Sequence, residues 1–170
     1  MTAPFDDALS AEADAVLALA RAHGKMLVTA ESCTGGLVAA VLTAIAGSSD
    51  AVEGGFVTYS NEAKMRLGVP QPVLRDHGAV SEETARALAQ AAANAAARPG
   101  IEVVAVSVTG VAGPGGGSAE KPVGLVHFGA SDGSRTIHRA MRFGDIGRGA
   151  VRLASVATAL SLLKELLDTP

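Results

Sequence analysis

The sequence predicts an α/β protein of three layers, with helices on both faces of a mixed sheet. Three observations predict it. Segments whose apolar residues recur at helical spacing alternate with short apolar runs through most of the chain. The last two strand candidates are joined by Ser131-Asp132-Gly133-Ser134, a connection that reads as an antiparallel hairpin. The chain has 170 residues, 48% of them hydrophobic, enough for one core and one domain spanning residues 1–170.

The first helix is read over residues 5–23, with apolar Leu9, Ala13, Val16, Leu17 and Ala20 on one face and Gly24 as its stop. Residues 25–30 (KMLVTA) resemble a buried strand, and residues 35–45 a small-residue helix. A second strand is expected over residues 53–60 and a short helix over Asn61–Leu67. Pro70 and Pro72 break the chain before another short segment. Ser81 is an N-cap, and Glu82 and Glu83 complement the dipole of a helix that runs to about residue 97. Residues 101–109 (IEVVAVSVT) are the most strand-like in the chain, and residues 123–130 and 135–143 form the hairpin. A final helix over residues 148–167 carries a stripe of Leu153, Val156, Leu160, Leu163 and Leu167.

Composition excludes several classes. With 18% charged residues and a formal net charge of -3, no basic stripe is available to neutralise nucleic-acid phosphates. Aromatic residues make up 3%, too few for base-stacking platforms. Cys33 is the one cysteine, so neither an intrachain disulfide nor a multi-cysteine zinc site is possible. The N-terminal stretch MTAPFDDALSAEADA is acidic where a signal peptide would be basic then apolar. No apolar run approaches the ~18 residues of a membrane span. A cytoplasmic protein with no membrane partner is expected.

Three segments carry residue types suited to chemistry. In Ser32-Cys33-Thr34-Gly35-Gly36 a strand turns into a helix, exposing backbone N–H groups that suit a phosphate or an oxyanion. No Lys follows the second glycine, so this is no Walker motif, and Ser32 or Thr34 as a plain helix cap is the alternative. Tyr59 and Lys64 fall at a strand end, where open α/β sheets place their sites. Lys64 can serve as a base only if burial or nearby cations lower its pKa; otherwise it is a solvated surface lysine. Residues 109–118 (TGVAGPGGGS) can wrap a ligand with backbone amides or form a flexible loop, and Glu120 and Lys121 just beyond either close over a ligand or solvate the tip. His23, His77, His127 and His138 are scattered without metal-ligand spacing or local carboxylates, and read as structural or surface residues. Cys33 is an alternative nucleophile to Ser32; adjacent residues on such a turn point in different directions, so only one is expected to face the site.

Taken together, AESCTGG (30–36), GGFVTYSNEAK (54–64), GAVSEETA (78–85), TGVAGPGGGS (109–118) and EKPVG (120–124) resemble the CinA C-terminal domain family, the nicotinamide mononucleotide deamidases. The resemblance implies a three-layer α/β/α sandwich with a mixed, about five-stranded sheet, and a homodimer. It implies hydrolysis of the nicotinamide amide to nicotinate mononucleotide and ammonia in pyridine nucleotide salvage, without metal or cofactor. The longer members' N-terminal molybdopterin-binding-like domain is missing from the chain, so a stand-alone deamidase is expected.

Carried over residue by residue, the resemblance makes Ser32 the nucleophile, with Lys64, directly or through Tyr59, taking its proton. The substrate is expected against Glu31, Cys33, Thr34, Gly35 and Gly36 on one side, and against Thr109, Gly110, Ala112, Gly113 and Arg148 on the other. Two departures stand out. The family's Gly-Asp-Arg triplet is here Gly144-Asp145-Ile146-Gly147-Arg148, with Arg148 the equivalent arginine, and Gly115 stands where many relatives have Asp. The competing expectation is a non-catalytic nucleotide-binding module of the same fold.

Overall fold

The structure, a computed structural model, describes residues 5–168. Residues 1–4 of the acidic N-terminal stretch and residues 169–170 lie outside the described residues. Six α-helices and five strands follow one another: α1 (Asp7–Ala22), β1 (Lys25–Glu31), α2 (Leu37–Thr43), β2 (Val52–Val57), α3 (Asn61–Leu67), α4 (Gln71–His77), α5 (Glu82–Ala96), β3 (Glu102–Gly110), β4 (Leu125–Ser131), β5 (Thr136–Arg142) and α6 (Arg148–Asp168).

The sheet has the order β2-β1-β3-β4-β5. Strands β2, β1 and β3 run parallel, with Leu27 of β1 opposite Val104 of β3, and their C-terminal ends meet at one edge of the sheet. Strands β3, β4 and β5 are antiparallel neighbours, so the sheet is mixed. The expected α/β/α sandwich with a five-stranded mixed sheet is the architecture observed.

Side-chain alternation along the central strands divides the core into two layers. On one face Leu27, Val104, Val106, Val108 and Phe128 pack with Leu17 of α1, Val41 of α2 and Leu160 of α6. On the other, Val28, Ala30, Val103 and Ala105 pack with Leu74 of α4 and with Leu88 and Ala92 of α5. A side chain at Gly129 would strike the Ala85 carbonyl, so α5 lays its backbone directly on β4. Ser107, fully buried between them, donates to the Ala85 carbonyl at 2.6 Å.

The helix starts follow their caps. Asp6 accepts from the Leu9 N–H at 2.8 Å, Ser60 from the Ala63 N–H at 3.0 Å and Ser81 from the Thr84 N–H at 3.1 Å. The Ser60 cap also explains why β2 stops at Val57 rather than near residue 60: the chain must leave the sheet to enter α3. Helix α2 starts at Leu37, not at residue 35, because Gly35 and Gly36 sit at φ +61° and +98°, outside the helical range. In α6, Leu153 is not a core residue as the stripe suggested; it is exposed along a shallow groove beside Leu9 and Glu12 of α1. Val151, Leu162 and Leu166 widen the buried stripe instead, since α6 packs on both the sheet and α1.

Candidate active site

Strands β1, β2 and β3 deliver three chain segments to the same sheet edge, the position where parallel strands build sites. A cavity of about 220 Å³ opens there, walled by Ser32, Cys33 and Lys64 on one side and by Thr109, Gly110 and Ala112 on the other. Tyr59 and Arg148 complete its rim, together with Ala79 and Val80 of the loop before α5.

Ser32 continues β1 by one residue, its N–H donating to the Val108 carbonyl at 2.9 Å. Lys64 is the one buried residue of α3, with 1% of its surface exposed. The Ser60 cap sets the first turn of α3, and one turn later the lysine points inward. Its Nζ lies 3.0 Å from Ser32 Oγ and donates to the Thr58 carbonyl at 2.7 Å. Burial pushes the Lys64 pKa down from its usual range, an effect the nearby Cys33 opposes. A lowered lysine pKa raises the population of the neutral amine, whose lone pair can take the Ser32 proton while an N–H still holds Thr58.

Tyr59 is not hydrogen-bonded between Ser32 and Lys64. It is 64% exposed, its hydroxyl accepts from Arg148 at 3.2 Å, and among the described residues no hydrogen bond links it to either partner. Arg148 also donates to the Gly113 carbonyl at 2.8 Å, so one guanidinium ties the glycine loop to the Tyr59 rim. Gly113 is therefore held by Arg148 through its carbonyl and is not part of the cavity wall.

The turn after Ser32 is organised differently from the expectation. Glu31 is fully buried, and its carboxylate accepts from the N–H groups of Gly36 and Val38, both at 3.0 Å, and of Ala39 at 2.9 Å. Glu31 therefore caps α2 and faces away from the cavity, and neither Ser32 nor Thr34 is the cap. The Gly35 N–H donates to the Ser32 carbonyl at 3.0 Å. The amides of Gly35 and Gly36 are consequently occupied within the protein, which leaves them no free donor for an incoming anion. Thr34 is fully buried, with its hydroxyl unpartnered among the described residues.

Cys33 lines the cavity beside Ser32, so both turn residues reach it, contrary to the expectation of one. Its thiol is pushed up to about 11, chiefly by burial, with the Glu31 carboxylate adding to the rise against the Cys33 amide, Arg152 and Lys64. A thiol in that state is a poor nucleophile at neutral pH. Thr109 also lines the cavity, and its hydroxyl donates to the Ala79 carbonyl at 2.7 Å. That bond pins the loop that brings Ala79 and Val80 to the cavity; Thr84 holds the same loop at the Gly78 carbonyl, at 2.7 Å.

The histidines are less scattered than their positions suggest. His127 Nδ1 lies 3.0 Å from His138 Nε2, His138 is 3.5 Å from the Glu82 carboxylate, and His77 is 3.3 Å from that of Glu83. Only His23 stays apart, as the C-cap of α1. His77, Glu82, Glu83 and His127 line a second cleft of about 470 Å³, which meets the first at Val80. Lys121 belongs to this cleft, its amine donating to the His77 carbonyl at 2.6 Å at the end of α4, and does not close over the cavity. Among the described residues no group of three or more His, Cys, Asp or Glu is placed to hold a metal ion. Nor is any helix there long and apolar enough to cross a membrane.

Sequence reasoning passed over Arg152, which donates to the carbonyls of Cys33 and Thr34 at 3.1 and 3.0 Å. The available signal was its spacing: four residues after Arg148, it shares that residue's face of α6.

Fold and site together define an α/β/α protein with a buried serine–lysine pair in a cavity at the ends of parallel strands. More narrowly, the chain belongs to the CinA C-terminal domain family, whose profile matches residues 9–167. It is similar to a CinA-like protein from Geobacter sp. (strain M21), with 49% identity over 158 residues, covering 92% of this chain and 37% of that protein. The chain thus spans about a third of the length of the curated relatives it matches. Among solved structures it is similar to the competence/damage inducible protein CihA from Agrobacterium tumefaciens, at 47% identity and a TM-score of 0.92, covering 99% of this chain and 100% of that one. A CinA superfamily protein from Escherichia coli matches at 31% identity and a TM-score of 0.85, covering 98% of this chain and 95% of that one.

Proposed function

We propose that this chain hydrolyses the carboxamide of nicotinamide mononucleotide, releasing ammonia and nicotinate mononucleotide, as a step of pyridine nucleotide salvage. One observation carries the reading: a lysine amine buried to 1% exposure, with its pKa lowered by burial, lies 3.0 Å from the hydroxyl of a serine that opens into a cavity. A structural lysine has no need of such a place, and burying an ammonium is costly.

The chemistry divides between the two side chains. Ser32 Oγ adds to the carboxamide carbon as its proton passes to neutral Lys64. The resulting ammonium returns a proton to the departing nitrogen, which leaves as ammonia from an ester on Ser32. Water then adds to the ester carbon and gives its proton to Lys64. Collapse expels Ser32 Oγ, which regains its proton from Lys64, and the nicotinic acid so released ionises to the carboxylate by giving its proton to solvent, where it is taken up by the ammonia. The Thr58 carbonyl holds Nζ throughout. At about 220 Å³ the cavity is smaller than the ~300 Å³ or more of a whole-ligand pocket, so it suits the pyridine carboxamide end. Ribose and phosphate would extend past the rim, where Arg148 offers a cation. The homodimer belongs to the same proposal.

An ammonia-release assay on nicotinamide mononucleotide, run beside nicotinamide and the intact dinucleotide, tests the reading. Release from the mononucleotide is expected. Saturable binding without release would replace the enzyme by a nucleotide-binding module.

A further inference from the structure

The parallel ladder of β1 and β3 ends at the cavity with one donor unmatched. Its register sets Glu31 opposite Val108, and carried one residue further it sets Ser32 against Thr109. The Ser32 N–H keeps to that register, donating to the Val108 carbonyl at 2.9 Å. In an unbroken parallel ladder the Ser32 carbonyl would accept in turn from the Gly110 N–H. That carbonyl accepts instead from the Gly35 N–H at 3.0 Å, as the chain leaves the sheet for α2. The Gly110 N–H still faces β1. Successive N–H groups of a strand point to opposite sides, and the next one, of Val111, donates to the Leu125 carbonyl on the β4 side at 2.9 Å. Among the described residues the Gly110 N–H has no acceptor.

Gly110 lines the same cavity as Ser32 and Lys64, and it is partly exposed where Val108 and Thr109 before it are buried. Residues opposite each other in a ladder share a face, so the Ser32 and Thr109 side chains rise from the sheet on the side of Lys64. A carboxamide carbon attacked by Ser32 Oγ therefore stands at the end of the β1–β3 seam, beside the unmatched N–H. Neighbouring donors are committed: the Gly35 and Gly36 amides within their turn, and the Thr109 hydroxyl to the Ala79 carbonyl at 2.7 Å. We propose that the Gly110 N–H holds the oxyanion formed when Ser32 adds to the amide. This rests on the proposed function above. As Oγ bonds to the carboxamide carbon, its proton passes to Lys64 and the carbonyl π electrons move onto oxygen. The N–H donates to that oxygen until the C=O re-forms and ammonia leaves. The glycine itself serves β4: a Cβ at this position would meet the Leu125 carbonyl at 2.8 Å and Val126 Cα at 2.9 Å.

A side-chain substitution would disturb β4, so the test removes the N–H alone, by replacing Gly110 with glycolate in the otherwise complete chain. In that ester variant kcat for ammonia release is expected to fall about 100-fold, the scale of a lost oxyanion donor. KM should stay within about threefold, because the interaction forms only in the transition state. The matching ester at Val111 removes the ladder bond to Leu125 and should leave kcat within about threefold, which separates a lost site donor from a weakened sheet. A second measurement uses pyridine-3-boronic acid, whose boron takes Ser32 Oγ into a tetrahedral anion as the proton passes to Lys64. In proton–nitrogen NMR of wild type the Gly110 amide proton should shift downfield and exchange more slowly in that adduct, and S32A should show neither change. Should the Gly110 ester fail to fold, the adduct carries the test. An undiminished kcat in the folded ester, a loss confined to KM, equal losses in the two esters, or a tetrahedral adduct with an unmoved Gly110 amide overturns the inference. A wild type that forms the adduct but releases no ammonia overturns the proposed function instead, and the Gly110 amide still identifies the donor. Neither turnover nor adduct overturns both.

Discussion

Replacing Glu31 by Gln exchanges one carboxylate oxygen for an amide nitrogen in a fully buried side chain. Oε2 accepts from Gly36 and Val38 at 3.0 Å and Oε1 accepts from Ala39 at 2.9 Å. The Gln carbonyl can take the place of Oε2 and keep two of those bonds. Its NH2 then faces the Ala39 N–H, donor against donor. One hydrogen bond to a charged group is lost, about 1.5–3 kcal/mol, and the two retained become neutral and weaker. Loss of the negative charge at the α2 N-terminus adds about 0.5 kcal/mol. The sum is about 3 kcal/mol, which for a chain of this length lowers Tm by roughly 6–12 °C. Scanning calorimetry of both proteins reads that shift, and ammonia release well below either Tm reads the site. Because the Ser32–Lys64 contact does not pass through Glu31, kcat should change much less than stability. An unchanged Tm with turnover abolished would refute the reasoning and return Glu31 to the substrate.

Three further outcomes follow from the same geometry. C33A should keep most of the wild-type kcat, and alkylation of wild type near pH 7 should be slow, since burial pushes the thiol up to about 11; rapid inactivation that substrate prevents would favour Cys33 as nucleophile. With the neutral amine of Lys64 as the proposed base, kcat/KM for ammonia release should rise with pH along a limb whose midpoint lies below the ordinary lysine value of ~10.4, because burial lowers that pKa; activity that falls as pH rises through that limb would contradict the proposal. Burial holds His127 and His138 below their ordinary 6.5, so below that pH the unfolded chain binds protons that the folded one resists. Stability should therefore drop as pH falls below 6.5 and drop less in H138Q, as read by urea midpoints; equal losses in both proteins would show the pair to be inert.

Much of the fold was legible because local signals and tertiary needs agree. Ser60 and Ser81 cap helices where their hydroxyls suggest, and Asn61–Leu67 is a helix over the residues expected of it. The apolar segments became the strands they resemble, and the expected hairpin is present, with its turn at residues 132–135 because Ser131 still pairs with Thr136 as the last residue of β4. The site was legible as a set of segments but not as a set of contacts. A carboxylate at a strand end reads the same whether it faces a ligand or the helix amides beyond it, and only the left-handed backbone of Gly35 and Gly36 turns those amides toward Glu31. Tyr59 meets Arg148 and Arg152 meets Cys33 across long stretches of sequence that no local pattern spans. The His127–His138 contact is different. Pairing Ser131 with Thr136 across the hairpin sets His127 opposite Ala140 and His138 opposite Gly129, diagonal neighbours on one face. Counting the register back from the turn was enough to find it.

Amide hydrolysis is the reaction proposed for the buried Ser32–Lys64 pair. Ammonia release from nicotinamide mononucleotide by S32A, measured beside wild type with both proteins shown to be folded by their Tm, tests it most directly. The expected result is a loss of at least about 10⁴-fold in kcat, the scale on which removing a nucleophile acts, with the Tm little changed. Undiminished release by the folded variant would contradict it.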